Sequence, residues 1–337
     1  MPGYDRRMTT TATASAPGSP LAAELAGLAP TDAARIIDAI AANYAPNTLH
    51  AYAWAWSHWA AWCASRDLDP LPATPAAVCA YLAERAEQGI AFGTISLTCC
   101  AIAFEHRRAG AVDPTGHEAV RQVRRGLRRS LGTAPIRQAR PLCVDEIRAI
   151  VTRIDRTSAQ GARDAALILL GFASALRRCE LAALTLADVQ SKPAGLLITI
   201  RGSKTDPDRR GQVVGVAHGR HPATDPVAAL GAWLVARGTT PGPLFTSMRP
   251  GGPDLQPISG DAIARILRAR AGAAGLPTAR ITGHSLRAGH ATFAALAGVG
   301  VDRIAAQTRH RRIDVLIERY IHPIEALRTT SSSHLGL

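Results

Sequence analysis

Residues 121–140 of this chain contain seven arginines, Arg121, Arg124, Arg125, Arg128, Arg129, Arg137 and Arg140, and no acidic residue. Charges without partners are confined to a surface, and Pro135 inside the run interrupts a continuous helix. The run therefore separates two folding units, with a linker at 135–140. A length of 337 residues with 47% hydrophobic content is enough for two cores. A basic run is ordinarily a solvated helix face. Here the missing acids and the adjoining linker favour contact with phosphates, so the seven arginines are candidate DNA-binding residues. A formal net charge of +13 and a pI near 10.5 also point to a polyanion. A membrane surface is the poorer reading, since no apolar run approaches the roughly 18 residues that a span needs.

Hydrophobic spacing divides the rest. Residues 1–46 read as a disordered leader rich in Thr, Ala, Ser, Pro and Gly, with one amphipathic helix expected over 31–43. The leader lacks the continuous apolar core of a signal peptide. From Thr48, the residues Tyr52, Trp56, Trp59 and Cys63 recur at helical spacing and are read as a small core in preference to base-stacking rings. Pro70 and Pro72 end that segment. Thr74 and Pro75 open a helix through Glu87, and further helices are expected over 93–110 and 115–131. Residues 47–134 are thus an all-α domain. From Pro141 the pattern becomes mixed: helices at 145–154, 162–174 and 181–189, a hairpin at 196–201 and 212–217, then helices at 225–237, 259–274, 284–297, 301–308 and 313–322. A sheet of three strands or fewer against many helices makes 141–322 an α+β domain, followed by a small polar tail at 323–337. The six cysteines show no Cys-x-x-Cys pair and no Cys/His cluster at zinc spacing. They read as small buried hydrophobes in a reducing compartment. No metal or cofactor is expected, and residence is expected to be cytoplasmic.

Tyr320 is the only tyrosine after Tyr81, and it follows Arg177, Lys204, His284-x-x-Arg287 and His310. Each has a bland reading: Arg177 as a cap or partner of Glu180, Lys204 as a solvated hairpin lysine, His284 and Arg287 as neighbours on any helix face, Tyr320 as a half-buried aromatic. Together they describe a chemistry. A phenol with a pKa of about 10 attacks poorly at neutral pH unless positive charge surrounds it. Guanidinium forks match the non-bridging oxygens of a phosphodiester. The set fits metal-free phosphoryl transfer from DNA to a tyrosine.

In these motifs the chain resembles the tyrosine site-specific recombinases, or phage integrases, over about residues 47–322. The family's Arg-x-x-Glu-Leu is matched by Arg177-Arg-Cys-Glu180-Leu181, its hairpin lysine by Lys204-Thr205, its His-x-Leu-Arg by His284-Ser-Leu-Arg287, and its last histidine and nucleophile by His310 and Tyr320. The chain departs from the pattern at Ala175 and Arg309, both glycine in the family. The His310 to Tyr320 spacing is ten, against about nine, with the added residue expected in the turn near Ile313. The resemblance implies an N-terminal core-binding domain and a catalytic domain. It also implies a DNA breaking and rejoining enzyme of the kind carried by mobile elements. Tyr320 would form a 3′-phosphotyrosyl link and release a 5′-hydroxyl. Arg177 and Arg287 would bind the non-bridging oxygens, Lys204 would protonate the leaving oxygen, and Glu180 would orient the basic residues. His284 and His310 would serve the phosphate and Tyr320, with the base open between them. The expected partner is double-stranded DNA, held by a homotetramer on paired sites, with a monomer or dimer in solution. Two other readings are a type IB topoisomerase that only relaxes strands and a catalytically silent DNA-binding regulator.

Overall fold

The computed structural model describes residues 27–41, 43–134, 138–202, 211–321 and 330–335. The chain forms two compact units, residues 1–136 and 137–337. In the first, helices α1 (Pro30–Ala41), α2 (Pro46–Ala64), α3 (Pro75–Glu87), α4 (Phe92–Arg108) and α5 (Glu118–Leu131) follow one another with a 3₁₀ turn at Pro114–Gly116. Proline opens α2 and α3, where a missing N–H costs nothing, and Thr74 caps α3 by accepting from Ala77 N–H at 3.2 Å. Trp59 and Cys63 of α2 are fully buried with Val78, Tyr81 and Leu82 of α3, Ile95, Cys99 and Ile102 of α4 and Val120 of α5. Trp56 packs against that core, and Tyr52 lies 5.3 Å from the Phe104 ring. The aromatic spacing of α2 thus marks a core. Burying side chains of this size stabilises the unit by about 1.5–3 kcal/mol each.

The arginine-rich run is less bare than its sequence. Glu118, three residues before it, pairs with Arg121 at 3.0 Å and Arg125 at 2.6 Å; Glu146, beyond it, pairs with Arg140 at 2.5 Å. Arg124 donates to Ser96 Oγ at 3.2 Å. Arg128 and Arg129 are exposed without an ion pair among the described residues, and Arg137 lies outside those residues. The cysteines also divide. Cys63 and Cys99 are buried, which pushes each thiol up to about 11, whereas Cys100 and Cys179 are exposed, contrary to the expectation of burial. Cys143 accepts from Glu146 N–H at 3.3 Å while Glu146 accepts from Cys143 N–H at 2.9 Å, a reciprocal cap on the next helix.

The second unit contains α6 (Val144–Thr152), α7 (Ala159–Ser174), α8 (Arg178–Ala183), β1 (Val189–Lys192), β2 (Gly195–Ile200), β3 (Gln212–Ala217), α9 (Pro226–Arg237), β4 (Thr246–Arg249), β5 (Gly252–Pro257), α10 (Gly260–Ala273), α11 (His284–Leu296), α12 (Val301–Thr308) and α13 (Ile313–Leu316). It is mostly helical with small antiparallel sheets, β1-β2-β3 and β4-β5. Helix α7 is buried nearly all round, which explains its long apolar run. One face of the three-stranded sheet, Leu196, Ile198, Ile200, Val214 and Val216, joins α7, α9 and α10 in the core. Gly289 lets α11 approach: a Cβ there would meet the Leu142 carbonyl oxygen at 2.2 Å.

Two expectations are corrected and one element was not anticipated. The helix expected over 181–189 ends at Ala183, because Thr185 and Asp188 close a 3₁₀ turn on themselves, and Val189 starts β1. The β4-β5 hairpin gave no alternation to read. It is held by polar groups, Asp254 accepting from Ser247 Oγ at 2.6 Å and pairing with Arg249 at 2.7 Å. The final helix is α only to Leu316 and then widens into a π turn, Ile317–Ile321. His322, Lys204 and residues 323–329 lie outside the described residues.

Candidate active site

Helix α7 ends at Ser174 and is capped by Ala175, whose backbone is left-handed at φ 52 and ψ 28. That conformation costs an alanine about 1–2 kcal/mol, but its methyl is fully buried, which offsets about 0.8 kcal/mol. The family's glycine and this alanine are therefore close in energy. The reversal turns the Ala175 carbonyl inward, where it accepts from Arg287 Nη1 at 2.8 Å. Two residues on, Arg177 stands at the start of α8. Glu180 accepts from the Arg177 backbone N–H at 2.8 Å and from its Nη1 at 2.7 Å, with a carboxylate side chain 1% exposed.

Helix α11 contributes His284 on its first turn and Arg287 one turn later, on the same face. Arg287 is 1% exposed. Burial pushes its guanidinium down to about 9, and Arg177 and Arg309 beside it act in the same direction. Tyr320 is 7% exposed, its ring packed among Ala288, Ala291, Ala295, Ile304 and Leu316. Its hydroxyl lies 2.6 Å from His284 Nε2. A π turn takes up one residue more than an α turn and is often found at functional sites. This π turn lies within the longer stretch from His310 to Tyr320.

His310 is fixed as a neutral ring. Arg287 Nη2, which can only donate, lies 3.4 Å from its Nε2. Thr308 Oγ1 lies 2.7 Å from its Nδ1 and gives its own proton to the Ile304 carbonyl at 2.6 Å. Both contacts place the proton on Nδ1 and a lone pair on Nε2. Burial, reinforced by Arg287, Arg177, His284 and Arg309, pushes its pKa down to about 3. The unfolded chain, with histidine near 6.5, binds more protons between those values. The stability contributed by the neutral ring is therefore complete above about pH 6.5 and is lost as pH falls toward 3. Nitrogen-detected NMR of the free protein is expected to show His310 protonated on Nδ1 alone and not titrating between about pH 5 and 8. A His310 signal that titrates near 6.5, or carries its proton on Nε2, would contradict this assignment.

The structure brings Arg177, Glu180, His284, Arg287, His310 and Tyr320 together; Lys204 lies outside the described residues. One member escaped the sequence. Arg309, noticed only as a missing glycine, is buried and donates from Nη2 to Glu180 Oε2 at 2.5 Å. Its position directly before His310 was the available signal. Beside it a cavity of about 360 Å³ is lined by Gln212, Val213, Ala306, Arg309, His310 and Arg311. No cluster of metal-ligating side chains occurs among the described residues.

Residues 141–326 match the model of the phage integrase family. An integrase/recombinase XerD homolog of Selenomonas ruminantium is 33% identical over 281 residues, which is 82% of each chain. The recombinase Cre of Escherichia phage P1 is 30% identical over 153 residues, 44% of each. Among solved structures, a λ integrase fragment, residues 75–356, as a dimer bound to a COC′ core site, aligns over 82% of this chain and 89% of that one. The TM-score is 0.56 and the identity 16%, a likeness of fold.

Proposed function

The chain belongs to the phage integrase family, the tyrosine recombinases that cleave and rejoin DNA, and from that premise we propose how its own residues divide the work. The observation that carries the proposal is the 2.6 Å contact between the Tyr320 hydroxyl and His284 Nε2, beside Arg177, held by Glu180, and Arg287, set against His310. His284 takes the proton as Tyr320 Oη attacks the scissile phosphorus. The new O–P bond forms as the bond to the 5′ oxygen breaks, and Lys204 gives that oxygen a proton. Arg177 and Arg287 hold the non-bridging oxygens; in other phosphoryl-transfer sites one such arginine is worth roughly 10³ to 10⁵ in rate. His310, with its lone pair on Nε2, accepts from Arg287 and keeps that guanidinium aimed. The 3′-phosphotyrosyl link conserves the bond energy, and attack by a 5′-hydroxyl of the partner strand rejoins the DNA.

In this reading the helical unit is the core-binding domain, the partner is duplex DNA, and four copies act on paired sites in the cytoplasm. No helix among the described residues is long and apolar enough to cross a membrane. The test is a nicked duplex carrying the target site, on which a covalent adduct should form, together with a plasmid carrying two sites, which should yield recombinants. Relaxed circles without recombinants would remove strand exchange, and no adduct would remove the chemistry.

Helix α5 is assigned to the phosphate backbone. Replacing Arg124, Arg125, Arg128 and Arg129 by glutamine should make the slope of log K against log salt shallower by a few units, at about 0.9 per lost phosphate contact. The fold should survive, since Arg125, Arg128 and Arg129 are exposed and contribute little to stability, and at half-buried Arg124 the change removes a hydrogen bond to Ser96 Oγ worth about 1 kcal/mol. An unchanged slope in a folded variant would leave this face merely solvated.

A further inference from the structure

Glu180 is shared. Its Oε1 accepts from Arg177 Nη1, while its Oε2 takes both the Arg177 backbone N–H at 2.8 Å and Arg309 Nη2 at 2.5 Å. Arg309 reaches it from the far end of α12, across 129 residues of sequence, with a side chain 4% exposed. Its backbone is left-handed, at φ 55 and ψ 47, the conformation that ordinarily selects glycine after a helix. Its Nε is buried and donates to nothing among the described residues. A left-handed arginine with an unsatisfied donor is destabilising on both counts, and glycine would avoid both. Strain held at a site calls for a use there.

The use is a matter of charge. Arg177 and Arg309 share Glu180, Arg287 stands beside them against the Ala175 carbonyl and His310, and the His310 ring is uncharged, so the group has a formal excess of two positive charges; glycine at 309 would leave one. A phosphodiester starts with one negative charge. Attack by a phenol oxygen that has passed its proton to His284 adds a second, which persists until the 5′ oxygen is protonated. Charge that appears only in the transition state is where fixed cations raise the rate.

We propose that Arg309 is a third arginine of the phosphate site, a positioning residue that fixes Glu180 and Arg177 and supplies the second net positive charge for the doubly negative transition state. This rests on Tyr320 being the nucleophile. The test is single-turnover cleavage of nicked duplexes that carry either the native scissile phosphate or a methylphosphonate, in which a methyl group replaces one non-bridging oxygen and removes one charge. A unit charge about 8 Å away at an effective dielectric of about 20 is worth about 30-fold in rate. Counted from the free duplex, at DNA concentrations below saturation, the native transition state carries two negative charges and the methylphosphonate one, so Arg309→Met should lose about 30-fold more on the native diester than on the methylphosphonate. Arg309→Lys should recover most of the native rate. Arg309→Gly should melt higher than Arg309→Met yet cleave the native diester as slowly, so that rate and stability separate. The ratio of the two substrates within one preparation does not depend on the fraction folded. Equal losses on both substrates, or a native rate restored by glycine, would overturn the proposal. No adduct from the wild-type chain on the native duplex would overturn the assignment of Tyr320, and this proposal with it.

Discussion

Tyr320→Phe is expected to bind duplex DNA as the wild-type chain does and to form no covalent adduct on a nicked or suicide substrate. The ring is packed in the cluster of Ala288, Ala291, Ala295, Ile304 and Leu316, and phenylalanine keeps those contacts. Loss of the hydroxyl removes its hydrogen bond with His284 Nε2, worth about 1 kcal/mol of stability. The chemical loss is total, since the hydroxyl is the nucleophile and no other tyrosine follows Tyr81. Gel mobility measures the first quantity, and denaturing electrophoresis of the protein-DNA product measures the second. An adduct formed at the wild-type rate by the phenylalanine variant would place the nucleophile elsewhere.

Glu180→Ala should be the most destabilising single change in the site, by about 3–5 kcal/mol, because it leaves a buried guanidinium without its counter-charge. Arg309 is nine-tenths or more buried and gives its Nη2 to that carboxylate. The same change removes the acceptor that holds the Arg177 backbone at the start of α8, so cleavage should fall as well. The second substitution Arg309→Met removes the stranded charge and should restore part of the melting temperature while leaving cleavage slow. Chemical denaturation of the four corners of this cycle gives the coupling between the two residues. Additive effects would mean that Glu180 and Arg309 do not stabilise each other.

Much of the fold was legible because helical periodicity reports burial locally. Trp59 and Cys63 sit in the core where their spacing put them, and Thr74, Asp225 and Ser259 cap helices that begin beside them. The hairpin β2-β3 was visible because its apolar residues alternate against one core. The β4-β5 hairpin was hidden because polar side chains hold it, and a pattern of hydrophobicity carries no trace of Asp254 reaching Ser247 and Arg249. The arginine run looked bare because its partners, Glu118 and Glu146, stand just outside it.

The sequence by itself determined the chemistry on offer: one late tyrosine, arginines and histidines in a fixed order, and a carboxylate three residues after the first arginine. Residue type and local spacing are enough for that, because a nucleophile, a phosphate clamp and a base are properties of side chains. Only the tertiary structure decided how they meet. It set His284 Nε2 against the Tyr320 hydroxyl, a contact across 36 residues of sequence. It fixed the proton of His310 through Thr308 and Arg287, which lie on different helices. It also turned Arg309 from a missing glycine into a buried partner of Glu180. The direction of a side chain leaving a left-handed residue depends on the backbone on either side, and its partner across 129 residues is chosen by packing that no local pattern encodes.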